Sequence, residues 1–138
     1  MDLKINNIQH IGIPVSNIQR SIPFYEQLGF KNVMSSTFEI EREKGGIVAM
    51  MKRNTIIIEL YQMPSSHLSE IKNRKDGHID HIAFDVDDIN LTFKTLKEND
   101  FDILEKEPVF LAFWDKGCKY FNILGPDRER IEFNEIIK

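Results

Sequence analysis

Cysteine is almost absent from this sequence: Cys118 is the single cysteine in 138 residues, so no disulfide can form within one chain. The simplest interpretation of this thiol is a small strand residue, and a reactive role is the alternative. A chain without internal disulfides is typical of a reducing compartment, and we therefore expect a cytoplasmic protein.

Long apolar runs are also missing, because stretches such as "TIIIELY" are far too short to span a membrane. The opening "MDLKINNI" lacks the apolar core of a signal peptide. A net charge of −4 and the lack of a Lys/Arg cluster mixed with aromatic residues argue against a nucleic-acid partner. The remaining composition, 41% hydrophobic and 29% charged, predicts one globular domain over residues 1–138.

The chain contains two copies of one pattern. Residues 8–30 read "IQHIGIPVSNIQRSIPFYEQLGF" and residues 79–101 read "IDHIAFDVDDINLTFKTLKENDF". In each copy a strand-like run carrying a histidine ends at a polar residue, and a helix-like run follows. The identical positions are Ile8/Ile79, His10/His81, Ile11/Ile82, Val15/Val86, Ile18/Ile89 and Phe30/Phe101.

Each copy predicts a helix with its own start. In the first copy Ser16 is the expected N-cap, Pro23 is expected to disturb the helix, and Gly29 is expected to end it. In the second copy Asp87 is the expected N-cap. The apolar faces of the two helices are Ile18, Ile22, Tyr25 and Leu28 in the first copy, and Ile89, Phe93 and Leu96 in the second.

Strand signals follow each helix, so each half reads β-α-β-β-β. We expect modules over about 1–63 and 78–138, joined by a polar connector over 64–77. "EKGG" (43–46) and "GPDRE" (125–129) are the expected turns. The predicted strands after the helices are 33–40, 47–52, 55–61, 102–106, 118–124 and 130–136.

Side-chain alternation predicts that four polar residues share the face opposite the helices. His10 lies on this face with Gly12, and His81 with Ala83, so small residues leave space beside both histidines. Glu59 and Glu132 occupy equivalent positions on the last strand of each half, and each is flanked by apolar residues. The pattern therefore predicts a curved sheet with helices outside and a polar cluster in the concave face.

Burying two carboxylates and two imidazoles is costly unless the groups are paired or bind a metal. Two His and two Glu form a donor set that suits Zn²⁺, Ni²⁺ or Co²⁺. The alternative is that each side chain is structural or is satisfied by a local hydrogen bond.

These residues resemble the vicinal oxygen chelate superfamily, and within it glyoxalase I. The matching segments cover nearly the whole chain: "HIGIPVSNIQRSIPFYEQLGF", "IIIELY", "GHIDHIAFDVDDI" and "YFNILGPDRERIEF". The resemblance implies an α+β fold in which two βαβββ modules form a cupped mixed sheet. It also implies one divalent metal ion (Ni, Zn or Co), and the implied ligands are His10, Glu59, His81 and Glu132.

The resemblance further implies a metal-dependent lyase or isomerase that acts on an α-hydroxycarbonyl substrate through an enediolate. Glu132 is the implied base, and Glu59 is a ligand or a second base. The alternatives are an epimerase of a sugar or acyl compound, a dioxygenase, and a non-enzymatic binding protein of the bleomycin-resistance kind.

Two positions depart from the glyoxalase I pattern. Bacterial-type members typically have an Arg four residues after the first metal His and an Asn four residues after the first metal Glu. Those positions hold Pro14 and Met63 here, so we expect weak use of glutathione. Arg128 stands where the family usually has a Gly in the last turn, which is expected to spare Glu132.

The expected partners are a small-molecule substrate and a second copy of the chain in a homodimer. The aromatic stretch at 109–114 is interpreted as a pocket wall, or else as a hydrophobic core or dimer contact. His67 and His78, in or beside the connector, are expected to face solvent. The candidate pocket residues are Tyr61, Trp114, Tyr120 and Asn134.

Overall fold

The computed structural model describes residues 1–27, 29–74, 79–124 and 130–138. The chain forms two compact units: His10–Asp80, called the first unit, and Met1–Gln9 together with His81–Lys138, called the second unit. Both units have the predicted β-α-β-β-β order.

The first unit is a four-stranded mixed sheet with one long helix. Its strands lie in the order β2-β3-β4-β1, where β1 pairs parallel with β4 and the other pairs are antiparallel. β1 contributes residues 10–14 to this unit. The elements are β1 (Ile5–Pro14), α1 (Ile18–Gln27), β2 (Lys31–Ile40), β3 (Glu43–Arg53), β4 (Ile56–Gln62), a 3₁₀ turn (Ser65–His67) and α2 (Leu68–Lys72).

The second unit repeats this arrangement with strand order β5-β8-β7-β6. β5 pairs parallel with β8, and the other two pairs are antiparallel. The amide of Asn6, in the first part of β1, donates to the carboxylates of Asp85 and Asp87, each at 3.0 Å. The elements are β5 (His81–Val86), α3 (Ile89–Glu98), β6 (Val109–Leu111), β7 (Cys118–Leu124) and β8 (Arg130–Ile136).

Both long helices begin one residue later than the sequence predicted. α1 starts at Ile18, and the side chain of Asn17 accepts a hydrogen bond from the backbone N–H of Arg20, so Asn17 rather than Ser16 is the cap. α3 has Asp88 as its N-cap, whose side chain accepts from Leu91 N at 2.9 Å, and the prediction of Asp87 was wrong by one residue. Asn, Asp and Ser all cap well, so local preference did not decide between neighbouring polar residues.

The predicted end of α1 is confirmed. Gly29 has φ +87°, and the N–H of Phe30 reaches back to Tyr25 O at 3.1 Å, the pattern of a left-handed helix end. The second copy ends in the same way with Asp100 at φ 59° and Phe101 N bonded to Leu96 O. α1 runs through Pro23, and Leu28 lies outside the described residues.

The hairpin turn predicted at "EKGG" was wrong, because Glu43–Arg53 is strand β3. The turn lies before it, at Glu41 and Arg42, whose φ angles are 51° and 69°. Gly46 instead makes room for a neighbour, since a Cβ there would lie 2.6 Å from the ring of Phe38. The glycine signal was real, but it marks a close approach of a ring to a strand rather than a turn.

The predicted strand at 102–106 was also wrong. Among the described residues it is reduced to a single bridge between Ile103 and Ile123. The edge strand of this unit is β6 (Val109–Leu111), inside the aromatic stretch. The predicted turn at 125–129 and Arg128 lie outside the described residues, and the predicted strands at 118–124 and 130–136 are confirmed.

The helix-facing side of each sheet carries the core, as the alternation of side chains predicted. In the first unit Ile18, Ala49, Met51 and Leu60 are buried, and Ile13 and Ile58 pack against them. In the second unit Val86, Ile89, Leu96, Phe121, Ile123 and Phe133 form the buried core, against which Phe84 and Ile131 pack. His10 and Glu59 are therefore on the opposite face in the first unit, and His81 and Glu132 in the second.

Candidate functional site

The first unit brings His10 and Glu59 together. Residues Gly12 of β1 and Glu59 of β4 are paired in the parallel register, so His10, two residues earlier on the same face, is a diagonal neighbour of the carboxylate. The distance from His10 Nε2 to Glu59 Oε2 is 3.4 Å. Both side chains are well shielded from water, at 2% and 13% exposure.

The second unit repeats this geometry with His81 and Glu132. Here Ala83 of β5 is the register partner of Glu132 on β8, and His81 lies two residues before it. The distance from His81 Nε2 to Glu132 Oε2 is again 3.4 Å, and the side chains are 7% and 10% exposed. The predicted equivalence of the two His/Glu sets is thus present as two matching pairs, one within each unit.

The separation within each pair suits ligands of one ion better than a strong direct hydrogen bond. An N–H···O bond between such groups is typically about 2.7–2.9 Å long when charge-assisted, which is shorter than the observed 3.4 Å. Two ligand atoms at about 2.0–2.2 Å from one ion in tetrahedral geometry lie roughly 3.3–3.6 Å apart. The donor set, one imidazole nitrogen and one carboxylate oxygen per pair, also matches a borderline divalent metal.

Two buried amides extend the His81–Glu132 pair. Asn134, on the same face of β8, donates from Nδ2 to Glu132 Oε1 at 2.7 Å. Gln9 donates from Nε2 to Asn134 Oδ1 at 2.6 Å. The exposed fractions are 5% for Gln9 and 4% for Asn134. Sequence reasoning missed Gln9, because simple alternation along β1 places it on the face opposite to its neighbour His10.

A third buried amide, Asn122, was also missed. It is the cross-strand register partner of Glu132 and is 6% exposed. Its Nδ2 donates to Glu105 Oε1 at 2.8 Å, and because a carboxylate only accepts, the amide orientation is fixed. Its Oδ1 has no hydrogen-bond partner in the described part of the chain. A buried acceptor of this kind is one that a substrate hydroxyl can satisfy.

The aromatic candidates occupy different places within their units. Tyr61, half-buried on the same face as Glu59, has its ring 6.5 Å from that of Phe38. Tyr120 is the register partner of Asn134. Trp114 follows β6 with φ 65°, and its buried indole Nε1 lacks a hydrogen-bond partner among the described residues. Their predicted role as pocket residues stays a prediction.

The other residues singled out from the sequence are not members of these two pairs. His67 is one-third exposed and lies 3.9 Å from the carboxylate of Glu43, and His78 is outside the described residues. Cys118 is a buried residue at the start of β7, with its thiol 4.0 Å from Asn134 Nδ2. Pro14 is buried at the end of β1, and Met63 follows β4.

A surface pocket of about 380 Å³ opens beside the start of α1. Arg20 and Phe24 are among its lining residues, together with Val15, which packs against the helix-side core. This pocket is therefore on the opposite face of the sheet from His10 and Glu59. In the described part of the chain, no helix is both long and apolar enough to cross a membrane.

Comparison with protein families gives a match over most of the chain. The model of the glyoxalase/bleomycin resistance protein/dioxygenase superfamily matches residues 7–133. The chain belongs to this superfamily. The resemblance to vicinal oxygen chelate proteins that the His/Glu segments indicated is thereby confirmed.

Individual relatives support the same fold. The uncharacterized protein YwbC of Bacillus subtilis (strain 168) is 33% identical over 127 residues, which are 91% of this chain and 94% of that protein. The solved structure of the hypothetical protein BH1468 from Bacillus halodurans C-125 has a TM-score of 0.76 at 26% identity and covers 98% of this chain and 97% of that one. The predicted glyoxalase-like fold is confirmed by this similarity.

A further neighbour is the Streptomyces coelicolor methylmalonyl-CoA epimerase in complex with 2-nitronate-propionyl-CoA. It has a TM-score of 0.78 at 19% identity and covers 98% of this chain and all of that one (100%). At this identity the similarity shows the shared fold alone.

Proposed function

We propose that the protein is a divalent-metal-dependent lyase or isomerase that moves a proton between adjacent carbons of an α-hydroxycarbonyl compound. The observation that carries this proposal is the pair of matching sites, His10 with Glu59 and His81 with Glu132, each at 3.4 Å and each with side chains no more than 13% exposed. Four largely shielded polar groups at equivalent positions of two repeats need a common reason, and a shared ion supplies one.

In this proposal His10, Glu59, His81 and Glu132 hold one Ni²⁺, Zn²⁺ or Co²⁺. When bound, the ion supplies Lewis-acid stabilisation of the negative charge that develops on the substrate oxygens.

The chain's own contribution to the reaction is proton transfer. Glu132 takes the proton from the carbon that bears the hydroxyl group and returns it to the neighbouring carbon, while the hydroxyl proton passes to the former carbonyl oxygen, so no oxidant or reductant is needed. Its Oε1 is held by Asn134, which fixes the orientation of the carboxylate.

The metal content of purified variants tests the ligand set. We expect close to one Ni²⁺ per chain after loading and dialysis, measured by elemental analysis, and at least a hundredfold weaker binding in His10→Ala and His81→Ala. His67→Ala is the matched control, since this histidine is partly exposed and lies beside Glu43 rather than in either pair. Equal Ni²⁺ binding by His81→Ala and wild type would contradict the proposal.

Hydrogen exchange at carbon tests the reaction class. We expect the Ni²⁺-loaded protein in D₂O to catalyse loss of the C–H signal of small α-hydroxycarbonyl compounds in proton NMR. Glu132→Gln, which keeps the shape of the side chain but removes the base, should abolish this exchange. Exchange that persists in Glu132→Gln would assign the base to another residue.

Acyl-compound epimerisation is the second candidate, because each unit contributes one carboxylate that is largely shielded from water, Glu59 and Glu132. Epimerisation needs a proton removed from one side of a carbon next to a carbonyl and returned on the other side, which two carboxylates can serve. Deuterium incorporation into methylmalonyl-CoA separates the two candidates. Incorporation there, and none into small hydroxycarbonyl compounds, would favour the epimerase.

A further inference from the structure

We propose that Gln9 and Asn134 are positioning residues that hold the carboxylate of Glu132 in one orientation toward His81. This inference rests on the proposed function and deepens it, because Glu132 is both a metal ligand and the base in that proposal. Neither amide is required to touch the substrate, so both act through the carboxylate.

The hydrogen bonds between these side chains allow only one arrangement. Glu132 can only accept, so the Asn134 amide must present Nδ2 to Oε1, at the observed 2.7 Å. Asn134 Oδ1 then points the other way and needs a donor, which Gln9 Nε2 supplies at 2.6 Å. The bond from Gln9 therefore holds the Asn134 amide in the one orientation in which it can donate to Glu132.

These hydrogen bonds leave the second oxygen of the Glu132 carboxylate available to His81. With Oε1 bound to Asn134, Oε2 is the oxygen that lies 3.4 Å from His81 Nε2. A carboxylate held in this way offers one oxygen beside the imidazole rather than rotating freely. Outer hydrogen-bond partners of this kind typically change metal affinity by about 10–100-fold when they are removed.

Burial protects these hydrogen bonds from competition by water. Gln9, Asn134 and Glu132 are exposed by only 5%, 4% and 8%, so water competes little for their hydrogen bonds. The first unit has no amide at the equivalent position, which carries Tyr61. The two units therefore share the His–Glu pair but differ in the chemistry that surrounds the carboxylate.

An isosteric substitution tests the direction of the hydrogen bonds. Gln9→Glu keeps the shape of the side chain but places an acceptor against Asn134 Oδ1, so the Asn134 amide must turn over and lose its bond to Glu132. We expect Gln9→Glu and Asn134→Ala to bind Co²⁺ about 10–100-fold more weakly than wild type, with an altered visible absorption spectrum of the bound Co²⁺. Affinity is measured by competition with a chromophoric chelator.

A double-mutant cycle tests whether Gln9 acts through Asn134. The Gln9→Ala/Asn134→Ala variant should bind Co²⁺ as weakly as Asn134→Ala alone, because the first residue has nothing left to orient. Gln62→Ala is the matched control: it removes a glutamine that caps α1, and it should lower stability without changing the Co²⁺ spectrum. Circular dichroism and urea unfolding confirm that each variant folds.

The outcomes separate the inference from the proposed function. Two results would overturn the inference alone. One is Co²⁺ affinity in Asn134→Ala and Gln9→Glu that equals the affinity of the wild-type protein. The other is additive losses of Co²⁺ affinity in the double-mutant cycle. Failure of the wild-type protein to bind Co²⁺, Ni²⁺ or Zn²⁺ would overturn the proposed function together with the positioning role.

Discussion

The carboxylate of Glu135 accepts a hydrogen bond at 2.9 Å from the backbone N–H of Ile89, the first residue of α3. The first unit contains the same relationship, since the side chain of Gln62 accepts from Ile18 N at 2.9 Å. Each acceptor lies three residues after the glutamate of its unit, on the opposite face of the same strand. One strand thus carries the candidate ligand on one side and the cap of the helix on the other.

Glu135 and Gln62, which accept from a helix N–H in addition to the N-cap residues Asp88 and Asn17, predict measurable losses of stability that differ in their salt dependence. Glu135→Ala and Gln62→Ala should each lower the free energy of unfolding by about 0.5–2 kcal/mol, as loss of a helix cap typically does. The Glu135 effect should weaken with added salt, because a negative charge at a helix N-terminus also interacts with the helix dipole. Urea unfolding at low and high salt measures both effects, and equal salt sensitivity of the two variants would contradict the charge contribution.

Glu43 predicts a local dependence on pH. Hydrogen bonds from the hydroxyl and the backbone N–H of Ser66 hold the pKa of this carboxyl below its usual 4.5. A lowered pKa means that the charged form stabilises the fold above the unfolded pKa, and that this contribution is lost as the pH falls through the folded pKa. Carboxyl NMR should give a midpoint below 4.5 for Glu43, and Ser66→Ala should move it upward. A midpoint that Ser66→Ala leaves in place would contradict this cause.

Metal addition should stabilise the folded protein. At a free Ni²⁺ concentration about a hundred times the Kd, binding to the folded state alone adds about 2.7 kcal/mol. For a chain of this size that corresponds to a rise in Tm of roughly 8 °C, reversed by a chelator. Scanning calorimetry of wild type and His81→Ala checks this, and a similar rise in both proteins would point to nonspecific binding instead.

The predicted homodimer needs a direct measurement. The resemblance to glyoxalase I implies a dimer, and the second unit leaves apolar side chains of its first strands exposed, with Ile5 at 41%, Ile8 at 51% and Ile82 at 39% in the single chain. Sedimentation at micromolar concentration should give twice the chain mass of 16.2 kDa. A species of single-chain mass at that concentration would show that the prediction is wrong.

Much of the fold could be predicted because the sequence contains two copies of one β-α-β-β-β pattern. Alternation along β1 and β5 placed the apolar residues toward the helices, and the helix-side cores confirm this placement. Alternation also placed both histidines and both glutamates on the face opposite the helices. The strand register, in which Gly12 or Ala83 is the partner of each glutamate, was not predicted and brings each His–Glu pair together. Periodicity predicts the face on which a side chain lies, because that face depends on the alternation along the whole strand and not on a single contact.

The remaining features depend on particular contacts that periodicity does not contain. Glu41 and Arg42 form the hairpin turn with positive φ angles although neither is a glycine. Turn preferences therefore predicted the turn at Gly45 and Gly46, which is too late in the chain. The bond between Gln9 and Asn134 joins residues from opposite ends of the chain. No local pattern distinguishes such an amide from any other polar residue of a strand.

The substrate prediction concerns glutathione. Pro14 and Met63 occupy the two positions at which the resemblance implies contacts to glutathione, and neither side chain carries a charge or an amide. Each missing charged contact typically weakens recognition by about 2–3 kcal/mol, so two should lower it by roughly a thousandfold or more. Proton transfer depends instead on the metal and Glu132 and should remain intact. We therefore expect the Ni²⁺- and Zn²⁺-loaded protein to process smaller hydroxycarbonyl compounds, such as sugars or sugar acids, and to turn over the methylglyoxal–glutathione hemithioacetal poorly. Steady-state kinetics with that hemithioacetal decide the matter, and a kcat/KM of about 10⁴ M⁻¹s⁻¹ or above would mean that glutathione is recognised by other residues.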